Sequence, residues 1–323
     1  MRVSTSMIFT SGKQGIQDRQ FDLYKTQNQL STGRRVLTPA DDPIAASEAL
    51  KVEQSRGVTT QMLDNQNTAL SSLTFLEGTL SSVNNELDAI FARASDAGNP
   101  TYSASDRGML AAELKKRMQN LVGLANTQDG TGLYIFGGFK SSTQPFPLPF
   151  QPPPVPPQPY SLANGTLINY VGDAGQQSLL ISQSAEMAIS ENGLDVFMRV
   201  KDASGAITGR SMFDSLQNMI DILDPTSGVP YTAATYNQAI GDLRSAISHV
   251  ANVRATVGAR QNSLETLIEG SKDRNLQYTQ RLSDLQDLDY TEAISRFANY
   301  KMQLEAAQTT FKEISQLSLF NIL

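Results

Sequence analysis

Cysteine and tryptophan are both absent from this 323-residue chain, and there is a single histidine. Without cysteine, disulfides, thiolate metal sites and thiol nucleophiles are all excluded. His249 lies among Ile247, Val250 and Val253 with no ligand or nucleophile one helical turn away, so a packing role is expected of it. Charge is scarce as well, 18% of residues, which leaves a surface that is polar more than ionic. A net charge of -6 and a pI near 5.0 provide no basic face for nucleic acid. No stretch reaches the roughly 18 to 20 apolar residues of a membrane span, so membrane insertion is not expected. The N-terminal stretch lacks the basic start, apolar run and small-residue cleavage site of a signal peptide, so any export is expected to use a route that reads no cleaved signal.

Catalytic motifs are missing too. Gly130-Thr131-Gly132 and Gly137-Gly138 flank an apolar run, but neither a dinucleotide fingerprint nor a P-loop follows, and there is no nucleophile elbow. The Asp41-Asp42 pair stands between two prolines at a helix start, where capping is the natural role of a carboxylate. No catalytic, cofactor-binding or metal-binding residue is assigned, no cofactor is expected, and the chain is not expected to be an enzyme.

What the sequence does contain is helical seams at both ends. Phe9, Ile16, Leu23, Leu30 and Leu37 recur every seven residues. Ala293, Phe297, Tyr300, Leu304, Ala307, Phe311 and Ile314 alternate steps of four and three. Such spacing marks helices that pack lengthwise on other helices. Chain ends are usually the least tied-down part of a domain, so these look built to bind something, each other included. Residues 1 to 58 carry eight basic and six acidic side chains and residues 263 to 323 six and nine, a weak charge bias toward pairing.

Between the ends, a helix is expected over about Ser4 to Gly33, a break at Thr38 to Pro43, and a short helix from there to about Gly57, with Asp41 or Asp42 as its cap. Met62 to Ala97 has the cleanest 4-3 pattern and reads as a long scaffold helix, stopped by Gly98-Asn99-Pro100. A helix over about Ser105 to Asn126 folds back along it. Leu133 to Phe136 reads as a short strand, and the stretch between Gln144 and Tyr160, with nine of the fourteen prolines, as a stiff extended spacer, a ligand for a PxxP-reading module being the alternative. Tyr160 to Val200 is strand-like, with hairpin turns expected at Asn164-Gly165 and Asn192-Gly193. Helices return at Ser211 to Asp224 and over about Ala233 to Leu285.

The expected fold is therefore mainly α with a small β-rich inserted domain, long antiparallel helices forming a rod and terminal helices forming a coiled coil. The expected domains are an N-terminal arm, residues 1-42, pairing with a C-terminal arm, 286-323; a helical rod, 43-138 and 211-285; and a β-rich insert, 139-210, with its Pro-rich loop at 145-159.

Residues 29-47, QLSTGRRVLTPADDPIAAS, resemble the N-terminal block of the flagellin family, an L-S-[ST]-G-x-[RK] stretch followed by an Asp-Asp pair opening a helix. The Asp-Asp-Pro-Ile-Ala-Ala form and the Met1 to Thr5 start are similar to members placed between hook and filament more than to filament subunits. Gly130 to Lys140 and the Thr310-Phe311 and Ser318-Leu319-Phe320 segments agree, whereas the Pro-rich stretch departs from the pattern in the family's variable middle domain. The resemblance implies a structural component of the bacterial flagellum, extracellular, exported unfolded through the flagellar type III channel. It implies self-association into a ring, the first hook-associated protein on the hook side, flagellin on the filament side and an export chaperone in the cytoplasm. It also implies arms that order on assembly. The expected interface is Phe9, Ile16, Leu23, Leu30, Phe297, Tyr300, Leu304, Phe311, Ile314, Leu319 and Phe320. A filament flagellin and a type III secreted helical adhesin or translocator are the alternatives.

Overall fold

The computed structural model describes residues 5-151 and 159-320. It contains helices α1 (Thr5–Thr32), α2 (Pro43–Asp96) and α3 (Ala104–Ala125), strands β1 (Ser178–Ser182) and β2 (Ala185–Ala188), a π-helix (Leu194–Met198), and helices α4 (Met212–Leu223), α5 (Ala233–Gln286) and α6 (Tyr290–Phe320). The fold is mainly α with one two-stranded antiparallel sheet. Two compact units divide the chain, Met1–Thr60 with Lys272–Leu323, and Gln61–Ser271.

The Gln61–Ser271 unit is built on the 4-3 stripe of α2: Ala69, Leu73, Leu76, Leu80, Val83, Leu87, Ile90, Ala94 and Ala97 are all buried. They share one core with Leu114, Met118, Leu121 and Ala125 of α3 and with Leu243, Ala246, Val250, Val257 and Leu264 of α5. Each large side chain taken from water contributes about 1.5 to 3 kcal/mol, so this stripe is a substantial part of the unit's driving force. Ion pairs fix how the helices align: Arg254 reaches Glu77 at 2.7 Å, and Arg117 reaches Glu86 at 3.4 Å. Partly exposed pairs of this kind add little stability and select register instead.

Helix starts follow local chemistry. Ser103 and Asp106 form a reciprocal capping box on α3, and Ser211 and Asp214 form another on α4. The second is fully buried, and Asp214 Oδ1 also accepts the Leu167 N–H at 2.7 Å, which binds the insert to α4. Burial pushes the Asp214 carboxyl upward, against those hydrogen bonds.

The middle of the chain departs from the sequence expectation. Leu133 to Phe136 makes no strand; only a Gln128–Tyr134 bridge forms, and Asp129 Oδ1 takes the Thr131 and Leu133 N–H groups. The Asn164-Gly165 turn closes a tight loop between Ser161 and Gly165 without flanking strands, Gly165 sitting at φ +117. Asn192, just before the π-helix N-cap Gly193, accepts the Asp195 N–H at 2.8 Å, where a hairpin turn was expected. Among the described residues the one hairpin is β1 to β2, with Asn65 and Gln66 of α2 donating to the Leu180 and Ile181 carbonyls at 2.8 and 2.7 Å. Side-chain-to-backbone bonds from Asp and Asn thus replace the ladders that alternation suggested.

An aromatic cluster holds this region. Phe197 meets Phe136 edge-on at 5.0 Å, meets Phe146 at 5.4 Å and stacks on Phe213 at 5.7 Å. Phe146 belongs to the Pro-rich stretch, so the described part of that stretch is docked, not a free spacer. Pro145 and Gln151 bond to Val171 and Leu167 at 2.9 and 2.7 Å. The expected loop's residues 152-158 lie outside the described residues.

In the other unit, α1 and α6 run antiparallel, with Phe9 beside Phe311 at one end and Gly33 beside Tyr290 at the other. α2 starts at Pro43, with the Ala45 N–H donating to Asp42 Oδ1 at 3.0 Å. It then continues through Gly57 to Asp96 as one helix of 54 residues, where two helices were expected. A lone exposed glycine costs a helix only about 1 kcal/mol relative to alanine, less than the cost of ending one helix and starting another.

Candidate assembly interface

The expected interface residues divide into three groups. Ile16, Leu23 and Leu30 of α1 and Phe297, Tyr300, Leu304 and Phe311 of α6 are half-buried in the antiparallel pair. Phe9 is 53% exposed although its ring centroid lies 4.8 Å from that of Phe311, and Ile314 is 41% exposed. The side chains of Leu319 and Phe320 lie outside the described residues, although their backbone belongs to α6.

A second set of apolar residues was not anticipated. Phe21 and Tyr24 on α1 are 66% and 64% exposed, and Ile294 and Met302 on α6 are 57% and 61% exposed. Ile44, Leu50 and Leu276 of the same unit are also exposed. Phe21 lies fourteen residues from the equally exposed Met7, but the column between them is interrupted by Gln14. A seven-residue template therefore passes over it. The i, i+3 pair Phe21-Tyr24 was the available signal.

Full burial in this unit gathers where α1 and α6 meet the starts of their neighbours. Thr26, Gln29, Ala45, Ala49, Leu288 and Ala293 are buried there. Two crossovers, residues 33-42 and 287-289, are hydrogen-bonded to each other. The Leu288 N–H donates to the Gly33 carbonyl at 2.9 Å and the Arg35 N–H to the Gln286 carbonyl at 2.7 Å. The Arg35 guanidinium spans from the Leu285 carbonyl, 2.9 Å, to Asp42 Oδ2, 3.1 Å.

Asp41 turns the first crossover, accepting the Leu37 and Thr38 N–H groups at 3.1 and 2.9 Å, while its other oxygen holds Lys25 Nζ of α1 at 2.6 Å. The Lys25 ammonium and the backbone N–H groups lower its pKa to about 2. Asp42 is held below the usual carboxylate range by the Ala45 N–H and then by Arg35. Both carboxylates are committed to capping and pairing.

Neither of the other candidate features supports chemistry. His249 Nε2 donates to the Asp195 carbonyl at 2.8 Å, and burial depresses its basicity. An open groove of about 770 Å³ on α2, bordered by Leu70, Phe75, Gly78, Ser82 and Leu124, is lined by aliphatic, aromatic and hydroxyl groups without a titratable side chain. Among the described residues, no three His, Asp or Glu side chains are placed to share a metal ion, and no helix is long and apolar enough to cross a membrane.

Residues 3–141 match the bacterial flagellin N-terminal helical region and residues 240–323 the bacterial flagellin C-terminal helical region. The chain is 31% identical over 332 residues to the flagellar hook-associated protein 3 of Escherichia coli, covering 100% of this chain and 99% of the relative. Against the flagellar hook-associated protein 3 of Salmonella typhimurium it is 29% identical over 334 residues, with the same coverage, 100% and 99%. The solved flagellar junction protein FlgL of Legionella pneumophila shares the fold at a TM-score of 0.58 and 21% identity, covering 74% of this chain and 100% of that one. With both terminal regions matched and a relative this similar along its whole length, the chain belongs to the flagellin family, in the group of flagellar hook-associated protein 3.

Proposed function

We propose that this protein is a structural component of the flagellar hook–filament junction and assembles through its terminal helices. The exposed apolar residues of α1 and α6 carry this reading: Phe21, Tyr24, Ile294 and Met302 are each more than half exposed on helices whose seam already faces a partner helix. Large exposed apolar side chains in such number mark a surface that another chain covers. Residues 1-42 and 286-323 form the assembly domain, 43-138 and 211-285 the helical domain behind it, and 139-210 the insert.

Burying one large side chain is worth about 1.5 to 3 kcal/mol, whereas fixing one backbone residue costs about 1 to 2 kcal/mol. A half-buried pair of arms lies near balance alone and becomes stable once neighbours cover its second face. Assembly is thereby restricted to a growing tip. The occupants of that face are further copies in a ring, the first hook-associated protein on one side and flagellin on the other. An export chaperone shields the arms in the cytoplasm, and the chain passes unfolded to the cell exterior. The role requires no catalysis.

The test is incorporation in cells lacking their own copy. Phe21→Asp and Ile294→Asp, which leave the α1/α6 seam intact, and Leu304→Asp and Phe311→Asp, which break it, should all keep the Gln61–Ser271 unit folded and abolish junction assembly and motility. Normal incorporation of the first two variants would contradict the proposed second face.

A further inference from the structure

Two Asn-Gly pairs occur in the chain, Asn164-Gly165 and Asn192-Gly193, and both belong to the Gln61–Ser271 unit, not to the terminal arms. Glycine after asparagine leaves the backbone nitrogen unobstructed, so that it can reach the side-chain carbonyl carbon one residue back. The two pairs carry the same chemistry in opposite surroundings.

Asn192 is 1% exposed, and its side chain is fully committed. Its Oδ1 accepts the Asp195 N–H at 2.8 Å, and its Nδ2 donates to Asp195 Oδ2 at 2.9 Å and to the Ala174 carbonyl at 3.3 Å. The Gly193 N–H donates to the Phe136 carbonyl at 2.9 Å, and a methyl group on Gly193 would lie 2.8 Å from the Tyr170 ring and 2.9 Å from that of Phe146. Ring closure at this pair requires the aromatic core to open. Asn164 and Gly165 are both exposed, with open space where a Gly165 side chain would lie. Their loop is held by reciprocal main-chain bonds between Ser161 and Gly165, 3.1 and 2.9 Å, and by the Asn164 N–H on Ser161 Oγ at 3.1 Å. Asn164 Nδ2 also donates to the Pro159 carbonyl at 3.3 Å. Among the described residues no strand flanks this loop, and the bonds of an exposed loop open at far smaller cost than a buried core.

We propose that Asn164 is a site of spontaneous deamidation and Asn192 is not, the fold deciding between two identical motifs. The Gly165 nitrogen attacks Asn164 Cγ; an N–Cγ bond forms, the Cγ–Nδ2 bond breaks, and the nitrogen's proton leaves with the amide as ammonia. Water then opens the succinimide, at Cγ to give aspartate or at the main-chain carbonyl to give isoaspartate, and no oxidant or reductant takes part. Either product sets a carboxylate oxygen where Nδ2 donated to the Pro159 carbonyl. That bond is lost, and the loop loses its tie to the end of the Pro-rich stretch. The modification does not depend on where the subunit is assembled.

The purified full-length protein, held in mildly alkaline buffer made with heavy-oxygen water and mapped by peptide mass spectrometry, should accumulate labelled aspartate and isoaspartate at Asn164 roughly tenfold or more faster than at Asn192. In denaturant, where neither pair is protected, the two rates should converge. Intact Asn164 in the native protein, or equal native rates at the two sites, would overturn the proposal. So would aspartate without isoaspartate, which marks direct hydrolysis of the side chain. Asn164→Asp, which carries the product's charge, should speed hydrogen exchange of the Ser161 and Gly165 amides several-fold and leave that of the Phe197 amide unchanged; unaltered loop exchange would contradict the loosening.

Discussion

Asp41 shows how much one carboxylate does in this chain. It turns the crossover by taking two backbone N–H groups and neutralises Lys25, so its charged form is favoured in the folded state. Its folded pKa, lowered from 3.8 to about 2, means that the stabilisation is complete above the unfolded value and is lost as pH falls through about 2. A carboxyl-carbon NMR titration of the full chain should give Asp41 a midpoint near 2, and a midpoint at 3.8 would show the crossover bonds to be absent in solution. Phe197 makes a second prediction at this scale: Phe197→Ala should cost the Gln61–Ser271 unit about 3 to 5 kcal/mol in denaturant unfolding, because it removes three ring contacts from a closed core. The Asp pair was legible in the sequence because proline and a helix start leave a carboxylate few other roles. Phe197 was not, since nothing local distinguishes a ring that meets three distant rings from any other apolar residue.

At the scale of elements, seams and caps were readable, and interruptions were not. The 4-3 stripe of α2 and the stripe of α5 are buried largely as their spacing requires, with Val253 and Leu267 of α5 only partly covered. Ser103 and Ser211 open their helices through bonds made within four residues, which is why α3 and α4 could be placed closely. Gly57 looked like a terminator because propensity weighs each residue alone, while a long helix absorbs one unfavourable position. Gly57→Ala should therefore stabilise the protein by up to about 1 kcal/mol, and Gly57→Pro should destabilise it by about 3 kcal/mol or more, both read by thermal unfolding. If both were neutral, α2 would be broken there, as the sequence alone suggested. The segment from Leu133 to Val200 resisted reading for the opposite reason: its form is set by Asp129, Asp173 and Asn192 binding backbone groups and by Phe146 and Phe197 docking at long range. Alternation of apolar residues says nothing about either.

For the whole molecule, the proposed function lies in what the terminal helices leave unfinished. The sequence marked the seams of α1 and α6, because seven-residue spacing needs no knowledge of tertiary structure. It did not separate the face used within the subunit from the face left open, since both are apolar and only packing tells them apart. Phe21, Tyr24, Ile294 and Met302 are each more than half exposed, and the account assigns them to neighbouring subunits at the junction. The most direct test is immuno-electron microscopy of isolated flagella with serum raised against residues 160-210. The account predicts a single narrow band where hook meets filament; label along the whole filament, or no label at all, would contradict it.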